Sequence, residues 1–242
     1  MQFDVIVIPK LIERDWEVKS KYNDTITLQN KEQRIYNIIL PQAKLFHECR
    51  NVHLILDKLV VNRMLLKAHY AYPEDYTSVS PKKMAINKVW AHTNKAIDFD
   101  GFSASSSDIE HAEKWLKLHS VGSRFVSISL RSYAFQDSRN SSIPLIKKFI
   151  VYLNKKGFDH VIVPDTDQIE GAANFSGSPI FYQGSFNLFQ RNALYQLAYT
   201  NLFTSSGVAA VSVFNPKSSF IFTKFVNEHW PINAHEARGL KF

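Results

Sequence analysis

The stretch Arg124-Phe-Val-Ser-Ile-Ser-Leu-Arg131 decides the fold of this chain. Its apolar and small hydroxyl residues read as a buried β-strand that delivers an arginine to its carboxyl end. Along the strand Arg131 shares its phase with Ser127 and Ser129, while Val126, Ile128 and Leu130 occupy the other phase. A second cation follows in Arg139-Asn-Ser-Ser142, just before an amphipathic helix that opens on Ser-Ser-Ile-Pro. Open α/β sheets bind their ligands at the carboxyl edge of the strands. Arginine forks grip phosphate oxygens in a bidentate way. Two such forks at one edge suit a doubly negative ligand such as a pyrophosphate.

Working outward, the pattern predicts a helix over 143–156, with Leu145, Ile146, Phe149, Ile150 and Leu153 on one face. Pro144 lies in its first turn and Gly157 just past its end. His160-Val-Ile-Val163 is the next strand. A loop rich in Gly, Ser and Asn over 171–184 precedes a helix over 187–199. Strands over 201–204 and 218–222 flank a small helix that opens at Ser205-Ser-Gly207. This β-α-β-α-β-α-β order, with continuously apolar strands, predicts a parallel sheet covered on both faces.

The first half repeats the theme less regularly. Strands are expected at 3–8, 25–28 and 52–56, and helices at 41–50, 59–69 and 81–94. Ser107-Asp-Ile-Glu110 reads as a capping box opening a helix through Leu118. The expected organisation is two Rossmann-like α/β/α domains facing a cleft, over 1–110 and 120–242, with mostly parallel sheets.

At 242 residues the chain suits one large domain or two of roughly 120 residues. A hydrophobic content of 45% excludes a disordered chain. No apolar run reaches the ~18 residues of a membrane span, so no transmembrane segment is expected. The start reads as a first strand rather than a secretory signal. Cys49 is the only cysteine, which excludes an internal disulfide and fits a reducing, cytoplasmic setting. The balance of 29 basic and 22 acidic residues gives +7. Those charges are spread over polar helix faces without a basic helix or tail, so a small anionic substrate is favoured over nucleic acid.

Three clusters at the strand ends of the second half carry the candidate chemistry. The first is Arg131 with Arg139 and Asn140, read either as a ligand clamp or as a salt bridge to Asp137 or Asp165. The second is Asp165-Thr166-Asp167. Its carboxylates could meet ribose or base, hold Mg²⁺ or Mn²⁺, or form a polar turn. The third is Ser205, Ser206 and Gly207, where small residues and free N–H groups at a helix start suit an anion or act as a simple cap. Gly-x-Gly-x-x-Gly, the Gly-Lys-Ser/Thr loop, Gly-x-Ser-x-Gly and His-Glu-x-x-His are all absent. His229-Trp230 reads as a packing pair or a sugar-stacking one.

Ser127-Ile-Ser-Leu-Arg131, Arg139-Asn-Ser-Ser142, Val163-Pro-Asp-Thr-Asp167 and Leu202-Phe-Thr-Ser-Ser-Gly207 together resemble the carboxyl-terminal half of GT-B glycosyltransferases. The nearest pattern is that of bacterial proteins distantly similar to fucosyltransferases. The resemblance spans about residues 104–225 and implies transfer of a sugar from a nucleotide-diphosphate donor to a sugar, lipid or protein acceptor. It implies that Arg131 neutralises the donor β-phosphate and Arg139 assists. Asp165 or Asp167 would hold nucleoside or sugar, and the backbone at 205–207 would meet the pyrophosphate. Asp137 is the candidate base. No cofactor is implied unless Asp165 and Asp167 bind a divalent metal. Ser129 stands where many fucosyltransferases have the histidine of His-x-Arg, and the chain stops soon after its last strand. A non-catalytic or truncated nucleotide-binding protein is therefore the alternative.

Overall fold

The computed structural model describes residues 2–8, 32–71, 101–133, 137–166 and 168–224. Its centre is β3, Phe125–Ser129, in which all five residues are buried. It pairs in parallel with β4, Asp159–Val163, on one side and with β5, Thr200–Thr204, on the other. β6, Phe220–Thr223, extends the sheet from β5, again parallel, to give the order β4-β3-β5-β6. The chain therefore runs from β3 outward to β4, then crosses back over β3 to reach β5. That reversal puts the crossover helices on opposite faces and opens a crevice beyond the carboxyl ends of β3 and β5.

The two phases of β3 explain how its faces are covered. Val126, Ile128 and Leu130 pack against Ile146 and Leu153 of α4, Ile143–Lys155. The opposite phase faces α6, Leu188–Leu197. There the Ser129 hydroxyl is 2.6 Å from the Tyr195 hydroxyl, and Ser127 donates to the Asn201 side chain of β5. Asn201 in turn donates to the Tyr195 and Ser219 carbonyls, at 2.9 and 2.8 Å. These buried groups of β3 and β5 are thus paired, which matters because an unpaired one costs about 1–3 kcal/mol. The rest of this face is an apolar core that includes Phe125, Val161, Val163, Phe181 and Phe203.

α4 ends as its sequence predicts. Gly157 takes φ +72, the Gly157 N–H donates to Asn154 and the Phe158 N–H to Leu153, which closes the last carbonyls of the helix. The other helices of this half are α5, Gln183–Phe186, and α7, Ala209–Val213.

α3, Ser106–Leu118, corrects the capping expectation. The cap is Ser105, whose Oγ accepts the Asp108 N–H at 3.1 Å. Glu110 instead pairs with Lys114 one turn on, at 2.7 Å. Ser105→Ala is expected to cost about 1 kcal/mol, read by chemical denaturation, while Ser107→Ala should be neutral.

In the first half β1, Phe3–Val7, runs parallel to β2, Cys49–Leu54. A helical run starting at 32 includes a π turn, Ile35–Ile39, and finishes as α1, Leu40–Lys44. α1 gives way to a turn and then to β2, so the helix expected at 41–50 is shorter and strand replaces its end. α2 is Lys58–Lys67. The strand expected at 25–28 and the helix at 81–94 lie outside the described residues. Phe46 packs edge-on against Phe102 at 4.7 Å, and Phe102 against Phe214 at 5.6 Å. This ladder attaches the first half to the core of the second. Ala112, Trp115 and Leu116 of α3 are buried, and both Trp115 and Leu116 belong to that same core.

His160 of β4 is half-buried, with Nε2 2.9 Å from the Ser178 hydroxyl. Burial holds its pKa below the ordinary histidine value, only partly opposed by Asp159. The unfolded chain then binds the proton more readily, so the stability this site contributes is present above the unfolded histidine pKa, about 6.5, and is lost as pH falls below it. His160→Gln should flatten the pH dependence of Tm in that acid window.

Candidate functional site

A cavity of about 340 Å³ opens in the crevice beyond β3 and β5. From the β3 side it is lined by Leu130, Arg131, Tyr133 and Arg139. Asp165 and Thr166 enter from the end of β4, and Ser206, Gly207 and Val208 from the end of β5. Arg191 of α6 forms part of its wall. Arg34, Ile38 and Ile39 come from the first half. Four arginines therefore meet a single carboxylate among the described lining residues.

Arg131 is 7% exposed. Its position follows from two short pairings: its N–H donates to Ser141 Oγ at 2.9 Å, and its carbonyl accepts the Ser141 N–H at 2.9 Å. Asn140 then fixes the side chain. The Asn140 Oδ1 accepts from Arg131 Nη1 and from the Tyr133 N–H at 3.0 Å, while Nδ2 donates to the Tyr133 carbonyl at 2.9 Å. Burial pushes the Arg131 pKa down, and the Arg139 charge adds to that push while Asp165 opposes it. The site holds a cation where its surroundings disfavour one, as a preformed anion site does.

Arg139 closes the Asp137–Arg139 turn, and its Nε donates to the Ser205 carbonyl at 2.8 Å. It thereby ties the loop after β3 to the loop after β5. Asp165 accepts the Ser132 N–H at 2.8 Å. The Ser206 and Gly207 N–H groups donate to no partner among the described residues. α7 is only five residues long, so what this loop offers is those N–H groups and open space rather than a long helix dipole. A Cβ built at Gly207 would meet nothing within 4 Å.

The three clusters read from the sequence thus converge, with Asn140 as a support behind Arg131 and Ser205 as the acceptor for Arg139. Asp137 is exposed and does not line the cavity. Asp167 lies outside the described residues, as do His229 and Trp230. Among the described residues no cluster of three metal-binding side chains occurs. Arg34, Tyr133 and Arg191 were not singled out in the sequence. Arg191 left one signal, as the single charged residue of α6. It is 2% exposed and donates to the Gly184 and Pro164 carbonyls.

No family model matches the sequence, and no curated protein matches it. Among solved structures the chain is similar to a family 9 glycosyltransferase from Veillonella parvula, with a TM-score of 0.53 and 10% identity over 78% of this chain and 79% of that one. It also matches POFUT1 in complex with GDP-fucose, with a TM-score of 0.40 and 14% identity over 72% of this chain and 64% of that one. The similarity to the first of these shows that the chain shares its parallel α/β fold with that glycosyltransferase. No described helix is long and apolar enough to cross a membrane.

Proposed function

We propose that this protein transfers a sugar from a nucleoside diphosphate donor to an acceptor, with the donor diphosphate seated in the arginine-lined cavity. The carrying observation is Arg131, buried and braced by Asn140 at the sheet's switch point, beside Arg139 and the Ser206 and Gly207 amides. A departing nucleoside diphosphate develops charge on its leaving oxygen. Fixed donors aimed at such charge are worth about 3–4 kcal/mol for a single well-placed group. Arg131 and Arg139 would stabilise that leaving group, and Asp165 with Thr166 would face the nucleoside or sugar. Asp167 is proposed to join them. The two parts of the chain, over 1–110 and 120–242, would divide acceptor and donor binding. With one cysteine in the chain, a reducing cytoplasm is the proposed compartment.

A second reading is nucleotide-sugar binding without turnover. It is favoured by the cavity's one described carboxylate, Asp165, which is held by the Ser132 N–H and lies near Arg131 rather than standing ready as a base. A thermal-shift screen against GDP, UDP, ADP and their sugar conjugates, with and without Mn²⁺, tests the first claim. A native-state ligand raises Tm by mass action. A rise with one diphosphate series supports the cavity's assignment, and a flat response to all removes it. Release of free sugar or nucleotide from the selected conjugate separates catalysis from binding. A shift that needs Mn²⁺ would assign a metal role to Asp165 and Asp167.

A further inference from the structure

The cavity is not built by the second half alone. In the π turn Ile35–Ile39 the backbone bonds run to the fifth residue, so side chains five apart stack along the helix. Arg34 and Ile39 are so spaced, and both line the cavity together with Ile38. The Arg34 guanidinium carbon lies 4.8 Å from the centroid of the Tyr133 ring. The Arg131 guanidinium carbon lies 5.8 Å from the same centroid. One phenol ring thus gathers a cation from each half of the chain. Cations over aromatic faces gain about 0.5–1 kcal/mol at open sites and more where water is excluded. That offsets part of the repulsion between them, and Arg34 does depress the Arg131 pKa as Arg139 does.

Of the four arginines, Arg191 is taken up by the Gly184 and Pro164 carbonyls, and the other three exceed the need of a single phosphate. Arg131 and Arg139, linked to the loops after β3 and β5, suffice for one. We propose that Arg34 takes the other phosphate of the diphosphate, held in place by Tyr133, so that the first half of the chain counts phosphates. This rests on the reading of the cavity as the donor site. It makes Arg34 the residue that distinguishes a nucleoside diphosphate from a monophosphate, and it makes binding tie the run starting at 32 to the loop after β3.

The test is calorimetric titration of the full chain with whichever of GDP, UDP and ADP binds most tightly, and with the matching monophosphate. Arg34→Ala should weaken the diphosphate about tenfold or more, the scale of one charged hydrogen bond, and the monophosphate by less than about twofold. Arg34→Gln, which keeps the stem of the side chain as far as Cδ without its charge, should give the same split and guards against a packing artefact. Equal loss for both nucleotides, or no loss for either, overturns the phosphate-counting role. Arg131→Ala serves as the control for the underlying reading: it should weaken both nucleotides. If it weakens neither, the cavity is not the donor site and the assignment of Arg34 falls with it.

Discussion

Arg131→Ala is expected to lower affinity for a nucleoside diphosphate about a hundredfold, the scale for losing one partner of a buried charged pair. Its Tm should stay within about 2 °C of the unaltered protein. The asymmetry follows from how the residue is held. Arg131 is 7% exposed, and burial with the neighbouring Arg139 charge works against its cationic form. Removing it relieves that cost and frees the Asn140 Oδ1, which keeps the Tyr133 N–H as a donor at 3.0 Å. Sites kept charged for a ligand often cost folding stability in this way. Paired titration and thermal melting of Arg131→Ala and Arg131→Met measure both quantities. Affinity that survives the change would mean that the diphosphate does not bind here.

Arg191→Ala should do the reverse and carry the largest stability effect. Arg191 is 2% exposed and spans from α6 to the Gly184 and Pro164 carbonyls, which bracket the loop after β4. Alanine takes the buried Arg191 donor from the Gly184 carbonyl, leaves the Pro164 carbonyl with the Ser185 hydroxyl at 3.0 Å, and opens a void in the wall of the cavity. The expected cost is about 3 kcal/mol, or a fall in Tm of roughly 10 °C. Because that loop also carries Asp165 and Thr166, nucleotide binding should weaken as well. Arg191→Lys keeps the charge but not the two-pronged reach, so it should recover only part of the stability. A melting temperature unchanged by Arg191→Ala would show that the loop is held by other means.

The contrast between these two arginines shows what the sequence exposes and what it conceals. Arg131 and Arg139 follow one strand closely, so strand phase and loop position were enough to bring them together. Asp165 and Ser206 joined them because each ends a parallel strand, and parallel strands end at a common edge. Arg34 and Arg191 reach the same cavity from helices distant in sequence, and no local spacing announces that. The helix end near 44 was hidden for another reason. Cys49-Arg-Asn-Val52 alternates poorly, since Arg50 and Asn51 both reach the Asp4 carboxylate across β1 rather than facing a core. The Ser105 cap was missed because Ser107 and Glu110 match the capping spacing equally well, and only the backbone geometry separates the two.

The central claim is that the crevice beyond β3 and β5 seats the diphosphate of a nucleotide. A crystal structure of the full chain with the nucleoside diphosphate that gives the largest thermal shift tests it most directly. Phosphate oxygens are expected within hydrogen-bonding reach of the Arg131 guanidinium and the Ser206 and Gly207 amides, with Arg34 on the other phosphate. A nucleotide bound elsewhere, with the Arg131 side chain still engaged only by Asn140 and its other protein neighbours, would contradict it.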